Sequence, residues 1–241
     1  MIPAEPQFIF SRRKLLAGLT ALPILGVVAP QLSLAQEEPV VIPPPDEEFA
    51  EGAEGTAVLA GGCFWGVQGV FQRVKGVTSA VSGYSGGAAE TATYDLTTRG
   101  DTGHAETVEI TYDPKVIGFG KILQIYFSVA HNPTQLNFQG PDRGTQYRST
   151  IFPINDAQAE FARAYIAQLD AANLFEGPIV TTLEPLKAFY PAEQYHQDFL
   201  TLNPTWPYIV HNDLPKIAAL AALFPDEYRP EPVLVGELPA A

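Results

Sequence analysis

The sequence predicts an α+β fold in which helices layer onto a sheet. Three observations carry this reading. Short runs with apolar residues at every second position alternate with segments whose apolar residues recur at i, i+3 and i+4. The order of these segments is βαβ-βαβ with additional elements, the pattern of a layered sandwich. The composition, 46% hydrophobic and 11% aromatic over 241 residues, supplies one globular core.

Residues 1–35 read as an export signal and not as part of that core. Ser11-Arg12-Arg13-Lys14 precedes a weakly apolar stretch, 15–29, interrupted by Gly18, Pro23 and Gly26, and Ser33-Leu34-Ala35 forms a small-x-small cleavage site. Paired arginines ahead of such a stretch belong to the twin-arginine type, which places the mature protein in the periplasm. The apolar run is shorter than the ~20 residues of a spanning helix, so no stable membrane span is expected after cleavage. Loss of Arg12, Arg13, Lys14 and Glu5 takes the net charge from −13 to −15. Such acidity argues against nucleic-acid binding and serves solubility. Residues 36–55 hold seven acids, no base and Pro43-Pro44-Pro45, and are expected to form a disordered, extended linker.

The folded domain is predicted over 56–223. Residues 56–60 make a short apolar strand. A helix follows from Cys63, with Val67, Val70, Phe71 and Val74 on one face and Gly76 as its end. Residues 77–84 and 104–112 read as strands, the latter with Val108, Ile110 and Tyr112 on one face. Phe119, Ile122, Leu123, Tyr126 and Ala130 mark a second helix, closed before Asn132-Pro133. Residues 146–154 are strand-like. Asn155 with Gln158 three residues on is a capping box for a helix through Phe161, Tyr165 and Leu169. Residues 178–183 are again strand-like, and Pro191 is expected to open a last helix carrying Tyr195, Phe199 and Leu202. The proline-rich residues 224–241 are expected to be a tail.

The one cysteine, Cys63, bounds the chemistry. A single thiol makes no intramolecular disulfide, cysteine-based zinc site, iron–sulfur ligand set or C-x-x-C pair. It lies in Gly61-Gly62-Cys63-Phe64-Trp65-Gly66, between a strand end and a helix start. There, free backbone N–H groups and the helix dipole favour a thiolate, the reactive form. Phe64 and Trp65 set two aromatic faces beside it, a pocket for a small apolar group. Glu106 begins a strand; a carboxyl near aromatics has a raised pKa and can donate a proton. Tyr84 and Tyr147 are phenols near strand ends, able to hydrogen-bond a polar oxygen.

Five motifs occur in order: Gly62-Cys63-Phe64-Trp65-Gly66, Gly83-Tyr84-Ser85-Gly86-Gly87, Gly103-His104-Ala105-Glu106, the run from Asp142 through Tyr147 to Ser149, and Glu193-Gln194-Tyr195-His196-Gln197. Together they resemble the A-type peptide methionine-(S)-sulfoxide reductases over about residues 56–204. The resemblance implies a ferredoxin-like core with wrapping segments. It implies that Cys63 attacks the sulfoxide sulfur, that Glu106 protonates the sulfoxide oxygen, and that Tyr84 and Tyr147 hydrogen-bond that oxygen. It implies a methyl pocket from Phe64 and Trp65, with Asp142 at the substrate edge. No cofactor or metal is expected, and a monomer is. Many relatives carry further cysteines, in a C-terminal segment or at the position of Gly66, that resolve the Cys63 sulfenic acid as a disulfide. Without them, an external thiol must do so: a thioredoxin-like or glutaredoxin-like protein, or a small thiol. The substrate implied is methionine sulfoxide, free or in oxidised protein. Asn132 and Gln68 replace acids common in relatives.

Other readings are weaker. Gly83-Tyr84-Ser85-Gly86-Gly87 also fits the hydrolase nucleophile elbow, but no apolar helical period follows Ser85. His104-Ala105-Glu106 fits half of a zinc-deaminase signature whose P-C-x-x-C half is absent. His104, His131, His196 and His211 lack ligand spacing. A thiol peroxidase would need no methyl-binding aromatic pair, and a non-catalytic sulfoxide-binding domain would not need both Cys63 and Glu106.

Overall fold

The computed structural model describes residues 39–47, 49, 50, 52 and 55–236. The export signal expected over 1–35 and the last five residues lie outside them. The described chain is a mixed α+β fold. Its main sheet runs β7-β6-β1-β3-β2-β8, with β1 Gly55–Gly61, β2 Val77–Ser85, β3 Ala105–Tyr112, β6 Ser149–Ile151, β7 Thr182–Leu183 and β8 Phe189–Pro191. Neighbours pair antiparallel except β6 with β7, so the sheet is mixed. A two-stranded ribbon, β4 Phe138–Gln139 and β5 Asp142–Arg143, stands apart.

Period-two alternation in β1 explains how the layers form. Ala57 and Leu59 enter the main core, while Val58 and Ala60 enter a small cluster on the other face with Ala105 and Phe152, covered by Leu186 and Phe189. The main core lies against α1 Phe64–Phe71, α3 Phe119–Ile125 and α4 Asp156–Ala172. Asn155 caps α4 as the spacing predicts: its side chain accepts from Gln158 N–H at 2.8 Å. Gln158 returns the contact one residue early, accepting from Ile154 N–H at 3.2 Å, and donates to Thr56 O in β1.

Several elements differ from the sequence reading. α1 stops at Phe71, and Val74 instead forms an isolated bridge with Tyr228. The second helix continues as a π-turn, Tyr126–Ala130. Only Ser149–Ile151 of the expected strand over 146–154 is extended, preceded by a 3₁₀ turn, Thr145–Tyr147. Pro191 does not open a helix. It closes β8 opposite Gly83, and the residues beyond form a 3₁₀ turn, Gln194–His196, and a four-residue helix, α5 Phe199–Leu202. A further helix, α6 Leu214–Leu223, entered through a π-turn at Ile209–Asp213, was not anticipated.

Both flanking segments pack onto the domain where they are described. Residues 39–45 form no regular secondary structure and 46–47 bend, with Ile42 buried. The prolines there lack N–H groups but offer carbonyls, and Tyr165 O–H donates to Pro43 O at 2.7 Å and Gln168 to Pro44 O at 2.9 Å. Past α6, Phe224 is buried, and Arg229 donates its guanidinium to Gln72 O and Val77 O. Asp198 accepts from Val235 N–H and Gly236 N–H. Residues 224–236 therefore lie on the domain instead of trailing from it.

Candidate active site

The β1–α1 turn delivers the thiol. Gly62 takes φ +88°, the left-handed region, and a Cβ there would stand 2.5 Å from Gln139 Cβ. Cys63 follows as the N-cap of α1, half-buried. Glu106 reaches the same place from β3 and is 3% exposed. It accepts from Phe64 N–H, the first free N–H of α1, at 3.0 Å.

A cavity of about 220 Å³ opens on this pair, lined by Cys63, Phe64, Trp65, Glu106, Asp142 and Tyr147, all anticipated from sequence. Three aromatics complete it that were not: Tyr94, Trp206 and Tyr208. Trp65 stacks on Phe199 with centroids 3.8 Å apart and donates its indole N–H to His196 Nδ1 at 3.2 Å, which fixes its plane. Asp142, on β5, accepts from Tyr208 O–H. Tyr147 arrives on the 3₁₀ turn Thr145–Tyr147.

Tyr84 corrects the sequence reading. It pairs with Glu106 across β2–β3 and packs its ring 5.8 Å from Phe64, but it is not among the cavity residues. Its phenol donates to Glu193 Oε2 at 2.8 Å. Tyr94, at the start of α2 Tyr94–Thr97, brings a phenol into the cavity instead. The signal for Tyr94 was faint: one aromatic in a polar stretch twelve residues before Glu106. Trp206 stood out only as an aromatic bracketed by Pro204 and Pro207.

The electrostatics keep this cavity protonated. Burial pushes the Glu106 carboxyl up to about 8, against the Phe64 N–H bond that favours its ionised form; Asp142 and Asp213 push it further up. The thiol does not behave as the helix start suggested. Burial raises Cys63 well above its ordinary value, and the carboxyls of Glu106, Asp213 and Asp142 add to this. The Trp65 N–H opposes them and loses. Burial likewise raises Tyr94, Tyr147 and Tyr208, leaving them neutral donors. Burial raises Asp142, with Tyr208, Lys216 and Arg143 pulling it back. The arrangement can bring a nucleophilic sulfur, a carboxylic acid and phenolic O–H groups to one small molecule with a polar oxygen and an apolar group.

Among the described residues no group of three or more His, Cys, Asp or Glu side chains is placed to hold a metal ion. No helix among them is long and apolar enough to cross a membrane.

Gln68 is held by its amide. It donates to Ala80 O and Gln197 Oε1 and accepts from Asp198 N–H, a set a carboxylate cannot complete.

Comparison with known proteins agrees with this geometry. Residues 55–227 match the family model described as peptide methionine sulfoxide reductase. The chain is 68% identical over 190 residues to peptide methionine sulfoxide reductase MsrA 2 of Mesorhizobium japonicum, covering 79% of this chain and 97% of that one. It is 46% identical over 192 residues to the protein of the same name from Synechocystis, covering 80% and 89%. Among solved structures it is similar to the reduced form of Mxr1 from Saccharomyces cerevisiae, with TM-score 0.57 and 33% identity over 66% of this chain and 91% of that one. It is also similar to methionine sulfoxide reductase A of Corynebacterium diphtheriae, with TM-score 0.54 and 32% identity over 71% and 85%. A thiol, a buried acid and an aromatic wall in one cavity, on a chain matched from end to end of the domain, make this protein a member of the peptide methionine sulfoxide reductase family, oxidoreductases that act on sulfur.

Proposed function

We propose that the chain reduces the S epimer of methionine sulfoxide, free or in oxidised protein, through a sulfenic acid on Cys63. The observation that carries this is the pairing of Cys63 with a buried Glu106 whose carboxyl rises to about 8, in one aromatic-lined cavity. A sulfoxide is a poor electrophile because oxide is a poor leaving group. Glu106 gives its proton to the sulfoxide oxygen while Tyr94 and Tyr147 donate hydrogen bonds to it. The carboxylate so formed takes the thiol proton, and the Cys63 sulfur attacks the substrate sulfur. A sulfur–sulfur bond forms, and the hydroxyl leaves the substrate sulfur as water with the proton that Glu106 has regained. Water then bonds to the Cys63 sulfur and returns a proton to Glu106 as the sulfur–sulfur bond breaks and methionine departs. The substrate sulfur is reduced by two electrons and Cys63 is oxidised by two. Phe64 and Trp65 hold the S-methyl group, and Asp142 meets the substrate edge.

This sequence holds no second cysteine, so an external thiol, thioredoxin-like, glutaredoxin-like or small, reduces the sulfenic acid. The antiparallel order β6-β1-β3-β2, with α1 joining β1 to β2, supports a ferredoxin-like core wrapped by the flanking segments. The arginine pair and small-x-small site support twin-arginine export to the periplasm.

The test is turnover of separated S and R sulfoxide epimers, and of hydrogen peroxide, with a panel of thiol reductants. Turnover of the S epimer alone is expected. Reduction of the R epimer at a similar rate, or of peroxide in preference to both, would overturn the reading.

A further inference from the structure

We infer that Glu193 is a positioning residue for the reduction, holding Tyr94 where its phenol meets the sulfoxide oxygen. The inference rests on the role given above to Tyr94. Glu193 lies between β8 and the turn Gln194–His196, and its carboxylate joins two segments. Oε2 accepts the Tyr84 phenol at 2.8 Å, and Oε1 accepts Tyr94 N–H at 2.9 Å. Tyr84 is wholly buried in β2 and gives the carboxylate a fixed anchor.

The Tyr94 segment needs such a tie. Of the turn Ala89–Thr91 no residue is buried, and of α2 only Thr97 is. Ala92 and Tyr94 pack against the edge of the main core without being buried, so a polar tie adds to that contact in placing Tyr94. Tyr94 N–H is the first free N–H of α2, and Glu193 accepts it. Burial pushes the Glu193 carboxyl up, but the hydrogen bonds from Tyr94, its own backbone and Tyr84 bring it below its ordinary value, and it accepts both bonds as a carboxylate. The His196 ring, 4.4 Å from that of Tyr94, closes the other side.

A double-mutant cycle tests this: parent, Glu193→Ala, Tyr94→Phe and both, with kcat/KM on a peptide containing methionine sulfoxide. Tyr94→Phe is expected to lose about 100-fold, the cost of one transition-state donor. Glu193→Ala is expected to lose about tenfold, yet no more than about twofold in the Tyr94→Phe background, because its effect runs through that phenol. Glu193→Gln, which keeps an acceptor for Tyr94 N–H, should recover most of the loss. Equal losses from Glu193→Ala in both backgrounds would overturn the inference and leave the role of Tyr94 standing. A Tyr94→Phe enzyme of undiminished rate would overturn both. If Glu193→Ala melts too low to assay, Tyr84→Phe, which removes only the anchor of Oε2, takes its place in the same cycle with the same criterion.

Discussion

Glu106 combines two properties that oppose each other in water: it is a carboxyl, and it is protonated near neutrality. Burial and two neighbouring acids achieve this, raising it to about 8. As a proton donor it works below that value, so kcat/KM should fall about tenfold per pH unit above about 8. Glu106→Gln should slow reduction at pH 7 by about 100-fold or more and remove that fall, while leaving Cys63 open to alkylation. Stability carries the same sign. A carboxyl raised in the folded state contributes fully below its ordinary value, near 4.5, and that contribution is lost as pH rises through about 8. Urea unfolding of Glu106→Gln against parent should therefore favour the variant more at pH 8.5 than at pH 5, by on the order of 4 kcal/mol. Cys63, Phe64, Trp65, Glu106, Asp142 and Tyr147 were legible because each stands in a local motif. Tyr84 was misread because sequence gives the strand and not the partner of the phenol, which comes from Glu193, 109 residues on. The thiol was misread for a related reason. Local logic counts the helix N–H groups, whereas burial outweighs them, with carboxyls from β3, β5 and the turn before α6 adding to it.

At the scale of elements, apolar periodicity finds what packs on the sheet but not what each apolar residue packs against. Val74 continues the helical spacing of α1, yet its place in the core is reached through a bridge to Tyr228. Pro191 has the form of a helix opener. Its position on the edge strand β8 asks for no N–H bond to a further strand, so extended backbone suits it equally well. The strand reading over 146–154 failed at the site itself, where a 3₁₀ turn brings Tyr147 to the cavity. The capping box at Asn155 succeeded because a cap is a contact between residues three apart. The elements that escaped, α2 and the turn into α6, are short ones that bring Tyr94 and Tyr208 to the cavity, whereas α5, expected as part of a longer helix, sets Phe199 against Trp65.

The molecule as a whole binds its own flanks. The acidic, proline-rich stretch before β1 reads as a solvated linker by composition, but its carbonyls find donors on α4, and Ile42 reaches the core. Composition could not show this, since the partners lie some 120 residues away. Residues 1–35 carry the proposed export signal, which predicts that protein recovered from the periplasm begins at Gln36; an intact mass that retains Arg12 and Arg13 would refute cleavage there. Cleavage would remove Met1, the one methionine, and leave Cys63 as the one sulfur of the chain. That makes the central chemistry directly visible. One equivalent of methionine sulfoxide, added without any reductant and followed by intact and peptide mass measurement, should yield one equivalent of methionine and one oxygen atom on Cys63, reversible by added thiol. Methionine released while Cys63 stays a free thiol would contradict the account.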